Sequence, residues 1–189
     1  LYLKQGNQAA AINSFKKAKY VKPENFRPYV NLAGVYERRS DHEFAMEELK
    51  TAIILNPNYK EGIMRVANMS LETKKYQQAL EYYSRLLGDA TYNDKAIIGL
   101  ANTYYQWSEK DRTKIEKAKN VYQDIIDIDS KNKDALYGNM MIAIAEKNDH
   151  EVNKYYKYIK ENIAKKSIDE KFIGANLQLA DYMLATHRY

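Results

Sequence analysis

Side chains that could carry out acid–base or metal chemistry are few and scattered. Histidine occurs three times, at His42, His150 and His187, each near a predicted turn between helices and each with different neighbours. An imidazole that binds a metal or moves a proton needs a partner at a workable spacing, and the sequence offers none to these three. We therefore expect solvated turn histidines and no metal site.

The carboxylates and the absence of cysteine lead to the same expectation. The stretch 127–131 begins like a calcium loop, but Asn132 stands where the sharp turn needs glycine and Gly138 where a bidentate glutamate belongs. The sequence has no cysteine, which excludes disulfides and thiolate chemistry. It also has no glycine-rich phosphate loop and no nucleophile elbow. The sequence thus predicts a protein that is not an enzyme and carries no cofactor.

A fixed period organises the chain. Ala11, Ala45 and Ala79 recur every 34 residues, and Pro23 and Pro57 keep the same step. A period of this size is typical of stacked repeats, in which each unit buries its apolar face on its neighbour. In register, the chain divides into a partial unit 1–25, repeats 26–59, 60–93, 94–132 and 133–166, and a last segment 167–189.

Each repeat is predicted to contain two amphipathic helices. In the repeat 26–59 the apolar residues follow helical spacing on both sides of the polar break at 39–41. Ala33, Ala67 and Ala101 are small where the first helix faces the second, which lets the two backbones approach closely. Bulky side chains are predicted to fill the space between hairpins, namely Phe15, Leu49, Tyr83, Tyr122 and Tyr156.

This pattern resembles that of the tetratricopeptide repeat family. The family positions are matched by Tyr29, Leu32, Ala33, Tyr36, Ala45, Leu49, Ala52 and Pro57. The resemblance implies an all-α fold, a right-handed superhelical solenoid of antiparallel helix pairs with about five repeats plus partial terminal units. Helical repeats of other families are the alternative.

The repeats depart from the pattern in three places. The repeat 94–132 carries five extra residues around 107–117, which predict either a partner-binding protrusion or a longer turn and helix. The repeat 133–166 is degenerate. Ser167 and Glu170 have capping-box spacing and predict the first helix of a further repeat. Neither end carries a polar cap, so we expect a piece of a longer array, or self-association through its ends.

The resemblance also implies a binding surface, since the first helices of such arrays line a concave groove that holds a peptide or a partner's helix. We call the predicted contacts the first-helix lining: Arg27, Asn31, Arg38, Met64, Arg65, Asn68, Lys95, Asn102, Tyr105, Gln106, Tyr137 and Met141. Asparagine amides suit the backbone of an extended ligand, while methionine and tyrosine offer adaptable apolar contacts. Gly34, Gly99 and Gly138 fall on the same face. They allow either close approach by a partner or packing between neighbouring first helices.

The favoured function is therefore a protein-interaction scaffold or adaptor. A nucleic-acid-binding repeat is one alternative, because the pI is about 9.0 and the net charge is +5. The 30 basic residues are nonetheless interspersed with 25 acidic ones, which favours an ordinary solvated surface. The regulatory arm of a larger enzyme is a further alternative. No membrane-spanning stretch is predicted, and the compartment, cytoplasmic or periplasmic, is left open. The richness in Lys, Asn, Ile and Tyr hints at a bacterial source.

Overall fold

The computed structural model describes residues 8–162, residue 177 and residues 179–182, and all regular structure within these ranges is helical. The helices are α1 (Gln8–Val21), α2 (Arg27–Arg38), α3 (His42–Leu55), α4 (Lys60–Glu72), α5 (Tyr76–Ser84), α6 (Asn93–Trp107), α7 (Lys114–Ile128), α8 (Lys133–Ala145) and α9 (Asp149–Asn162). The predicted all-α class is confirmed. Ser167, Glu170 and His187 lie outside the described residues.

Prolines of the sequence lie just beyond helix ends, and its recurrent alanines lie at buried helix positions. Pro23 and Pro57 each stand two residues beyond the end of a helix, where a missing N–H costs no helical hydrogen bond. Ala33, Ala67 and Ala101 are 0% exposed. Consecutive helices with short connections pack as hairpins, such as α2 with α3 and α4 with α5. The predicted burial of these alanines is confirmed.

The chain forms two compact units, Leu1–Gly99 and Leu100–Tyr189, whose boundary falls within α6. In the first unit the largest fully buried side chains include Leu32, Leu49 and Ile63. In the second unit Leu136, Tyr137, Met140 and Ile159 form one cluster, and Ala143, Val152 and Leu179 form another. Each unit therefore has its own apolar core.

Three hairpin turns share one backbone conformation. Ser40, Lys74 and Lys147 have φ values of 58°, 57° and 56°, in the left-handed region. After each of them, an N–H reaches back over the end of the first helix; the Lys75 N–H, for example, bonds the Ser70 carbonyl at 2.7 Å. This geometry satisfies the last carbonyls of the helix, and glycine adopts it most easily.

We expect Lys74→Gly to raise the free energy of unfolding by about 0.5–1 kcal/mol. The left-handed conformation costs a residue with a β-carbon about 1–2 kcal/mol, and the greater freedom of glycine in the unfolded chain offsets part of the gain. Urea unfolding followed by circular dichroism measures the change. Gly88→Ala is the matched reverse variant: Gly88 has φ 77° and open space around it, so this variant should be less stable by a similar amount. A loss of stability in Lys74→Gly would contradict the left-handed conformation of Lys74.

The extra residues of the repeat 94–132 lengthen a turn and a helix. Residues 108–113 separate α6 from α7, whereas three residues separate α2 from α3 and α4 from α5. Helix α6 also has 15 residues against 13 in α4. Asp111 accepts hydrogen bonds from Thr113 and lies 2.9 Å from the Lys114 ammonium, and these contacts lower the pKa of its carboxyl to about 2. The longer-turn alternative is confirmed, and partner binding by this turn stays a prediction.

Candidate functional site

In the first unit, most of the first-helix lining is accessible to solvent. Arg27, Asn31, Arg38, Asn68 and Lys95 are all exposed, on helices α2, α4 and α6. Met64, by contrast, is only 9% exposed and belongs to the core. The accessible part of this surface is therefore polar.

Arg65 is held by a network within the first unit. Its guanidinium makes two parallel bonds to the Glu37 carboxylate, Nε to Oε1 at 2.9 Å and Nη2 to Oε2 at 2.7 Å, and a third to the Tyr59 hydroxyl at 3.2 Å. Glu61 lies 4.0 Å away. Burial alone would lower the pKa of Arg65, but the bonds to Glu37 raise it. The charge predicted to meet a ligand is thus already paired across α2 and α4.

Asn68, Tyr83 and Gly99 form a contact set that joins α4, α5 and α6 inside the first unit. Tyr83 is 3% exposed, and its hydroxyl donates to Asn68 Oδ1 at 2.8 Å. A β-carbon at Gly99 would overlap the Tyr83 ring. The buried ring therefore lies against Gly99 while its hydroxyl reaches the exposed asparagine.

The second unit repeats the same set with Asn102, Tyr122 and Gly138. Tyr122 is 1% exposed, and its hydroxyl donates to Asn102 Oδ1 at 2.5 Å. A β-carbon at Gly138 would overlap the Tyr122 ring. The two units thus contain the same arrangement independently.

These contacts correct two predictions about the lining. The prediction that a partner approaches closely at Gly99 and Gly138 is wrong, because Tyr83 and Tyr122 fill that space. The alternative of packing between neighbouring first helices is also wrong there, because both tyrosines lie on second helices. The accessibility predicted for Tyr137 is wrong as well, since this residue is 8% exposed and packs with Leu136 and Met140. Helix register gives the face of a residue but not how far its neighbours cover it.

The remaining lining residues of the second unit are half-buried: Asn102, Tyr105, Gln106 and Met141. Burial raises the pKa of Tyr105, and nearby Glu109 raises it further. This side chain is consequently a neutral aromatic group at physiological pH.

Of the described histidines, His42 is the first residue of α3 and His150 the second of α9, so each lies next to a turn between helices. Among the described residues, no group of three His, Cys, Asp or Glu side chains is arranged to hold a metal ion. Within the same part of the chain, no helix has both the length and the apolar composition that a membrane span requires.

Sequence reasoning missed three residues that shape this surface: Tyr59, Tyr83 and Tyr122. Of these, Tyr83 and Tyr122 were assigned to the core only. A signal was available, because Asn and Tyr recur with separations of 15 and 20 residues, and the difference equals the five-residue insertion.

Comparison with known proteins agrees with the fold. The tetratricopeptide repeat family model matches residues 1–25. Small glutamine-rich tetratricopeptide repeat-containing protein 2 of Saccharomyces cerevisiae is 27% identical over 128 residues, which cover 64% of this chain and 35% of that relative. The chain thus matches about a third of that relative's length.

Solved structures extend the likeness to nearly the whole chain. A tetratricopeptide repeat protein from Parabacteroides merdae has a TM-score of 0.73 at 18% identity, with 97% of this chain and 72% of that chain covered. YrrB, a tetratricopeptide repeat protein with an unusual peptide-binding site, has a TM-score of 0.59 at 18% identity, with coverages of 93% and 97%.

The helix pairs and these folds define a helical-repeat solenoid, a class that serves in protein–protein interaction scaffolds. The family match over residues 1–25 and the relative support the resemblance to the tetratricopeptide repeat family that the sequence pattern indicated.

Proposed function

We propose that the first-helix lining of each unit binds an extended segment of a partner protein, without catalysis. The observation that carries the proposal is the exposure of Asn68 above a buried tyrosine; in the second unit the half-buried Asn102 makes the same contact with Tyr122. A side-chain amide on a fixed support can pair with peptide backbone without demanding one sequence. The likeness to YrrB, a protein with a peptide-binding site, supports the same class of ligand.

The charge distribution favours a peptide over a nucleic acid. Lysines on several helices are paired with carboxylates: Lys19 with Glu48 at 2.6 Å, and Lys75 with Glu43 at 2.6 Å. In the second unit Lys119 pairs with Glu146 at 3.3 Å. Paired lysines offer little net charge to phosphates, whose neutralisation dominates the affinity of nucleic-acid-binding proteins.

Selection from a phage-displayed library of random dodecapeptides tests the proposal. We expect the protein to select peptides. Either Asn68→Ala or Asn102→Ala, according to the unit that binds the tightest peptide, should weaken that peptide about tenfold in isothermal titration calorimetry, the effect of about one or two backbone hydrogen bonds. Asn13→Ala and Asn120→Ala are the matched controls, since these exposed asparagines lie on the second helices α1 and α7. Selection of no peptide, or equal losses in the controls, would refute the proposal.

A further inference from the structure

We infer that Tyr83 and Tyr122 are positioning residues for peptide binding. Each hydroxyl fixes the amide of Asn68 or Asn102 so that its NH₂ group faces the ligand. The lining of each unit then presents a hydrogen-bond donor at this position, and it selects the carbonyl or carboxylate oxygens of an extended peptide. This inference rests on the proposed function and adds that the lining donates, and does not accept, hydrogen bonds at these positions.

The geometry of the amide supports this polarity. A side-chain amide has an acceptor oxygen and a donor nitrogen on opposite sides of one carbon. The oxygen of Asn68 accepts from a hydroxyl whose ring is 3% exposed, so the oxygen points toward the buried side of the helix contact. Because Asn68 itself is exposed, its nitrogen points toward solvent. The oxygen of Asn102 likewise accepts from the buried Tyr122, and we infer the same orientation for this half-buried amide.

The tyrosine hydroxyls stay protonated and therefore remain donors. Burial raises the pKa of Tyr83 to about 12, and the charge of Glu72 adds to the effect. Burial likewise raises the pKa of Tyr122, with contributions from Tyr105 and Asp134. At neutral pH each hydroxyl can only satisfy its hydrogen by donating, and the asparagine oxygen is the acceptor it reaches.

Comparison among the repeats separates this role from plain packing. One period before Tyr83 stands Leu49, and one period before Asn68 stands Gly34, so the hydroxyl and the amide are missing together from that repeat. A ring needed only to fill space would not require asparagine at this position. The next repeat after Tyr122 has Tyr156 without an asparagine, because Met141 stands at the corresponding position. The pairing is thus confined to two repeats.

A double-mutant cycle on the full chain tests the inference, with the tightest dodecapeptide whose binding depends on Asn68 as the probe. We expect Tyr83→Phe to weaken binding about threefold to tenfold, the effect of one lost hydrogen bond. In an Asn68→Ala background the same change should alter affinity less than about twofold. Tyr82→Phe is the control, because Tyr82 is the preceding residue on α5 and is also buried.

Two further measurements separate positioning from packing. Asn68→Asp keeps an acceptor for Tyr83 and removes the donor, so its affinity should fall at least as far as that of Asn68→Ala. In ¹⁵N–¹H spectra of the free protein, the side-chain amide signals of Asn68 should shift in Tyr83→Phe and stay unchanged in Tyr82→Phe.

The outcomes distinguish the two proposals. If Asn68→Ala and Asn102→Ala leave affinity unchanged, the lining does not bind the peptide and both proposals fail. If these variants weaken binding but Tyr83→Phe leaves affinity unchanged, only the positioning role is overturned. The same holds if Tyr83→Phe weakens binding by the same factor with and without Asn68→Ala. Full affinity in Asn68→Asp would overturn the donor polarity.

Discussion

Gly99→Ala is expected to lower the free energy of unfolding by about 2–3 kcal/mol, although alanine is the better helix former by about 1 kcal/mol. The new β-carbon would overlap three atoms of the Tyr83 ring. That ring is 3% exposed and its hydroxyl is bonded to Asn68, so it cannot move aside without losing packing or its hydrogen bond. Urea unfolding followed by circular dichroism measures the loss.

Gly34 supplies the matched control for this prediction. It lies in α2, and a β-carbon there would come no closer than 3.8 Å to another group, the Arg65 guanidinium. Gly34→Ala should therefore raise the free energy of unfolding by about 0.5–1 kcal/mol through helix propensity alone. A lower free energy of unfolding in Gly99→Ala together with a higher one in Gly34→Ala would demonstrate the contact with Tyr83. A higher free energy of unfolding in both variants would exclude it.

A second variant tests the same contact from the other side. Leu49 occupies the position of Tyr83 one period earlier, and the residue one period before Gly99 is Arg65, which carries a full side chain. In a Tyr83→Leu background the penalty of Gly99→Ala should consequently disappear. If Gly99→Ala still lowers the free energy of unfolding in this background, contacts of α6 other than that with Tyr83 cause the loss.

The repeat period predicted those features that depend on steric fit alone. Ala33, Ala67 and Ala101 are buried, and Pro23 and Pro57 follow helix ends. These outcomes follow from side-chain size and from the missing N–H of proline, which act wherever the period places the residue. The period therefore fixed the class of fold and the helix contacts in advance.

The polar contacts of the lining were harder to predict, because they depend on how far a side chain reaches between helices. Tyr83 and Tyr122 were expected as core residues, and their rings are indeed buried. Whether their hydroxyls end in the core or at an asparagine is decided by a few ångströms of helix separation, which the repeat period does not give; only the joint recurrence of Asn and Tyr in two repeats indicated the contact. The pairing of Arg65 with Glu37 likewise joins residues 28 positions apart.

Tyr122→Ala is expected to lower the free energy of unfolding by about 3–5 kcal/mol. Tyr122 ranks among the largest fully buried side chains, at 1% exposure, and its ring fills the space above Gly138. Because glycine has no side chain to move into the void, the site cannot collapse and the full cavity cost remains. Trp107, the single tryptophan of the sequence, lies in the same unit and reports unfolding there by fluorescence.

The size of the loss should depend on how much of the tyrosine is removed. Tyr122→Phe keeps the ring and loses the bond to Asn102, so we expect a decrease of about 1 kcal/mol. Tyr20→Ala, at a tyrosine that is 91% exposed, should change the free energy of unfolding by less than about 0.5 kcal/mol. If Tyr122→Ala were no more harmful than Tyr122→Phe, the ring would not support the contact between α7 and α8. The amide of Asn102 would then lack the rigid base on which its proposed role depends.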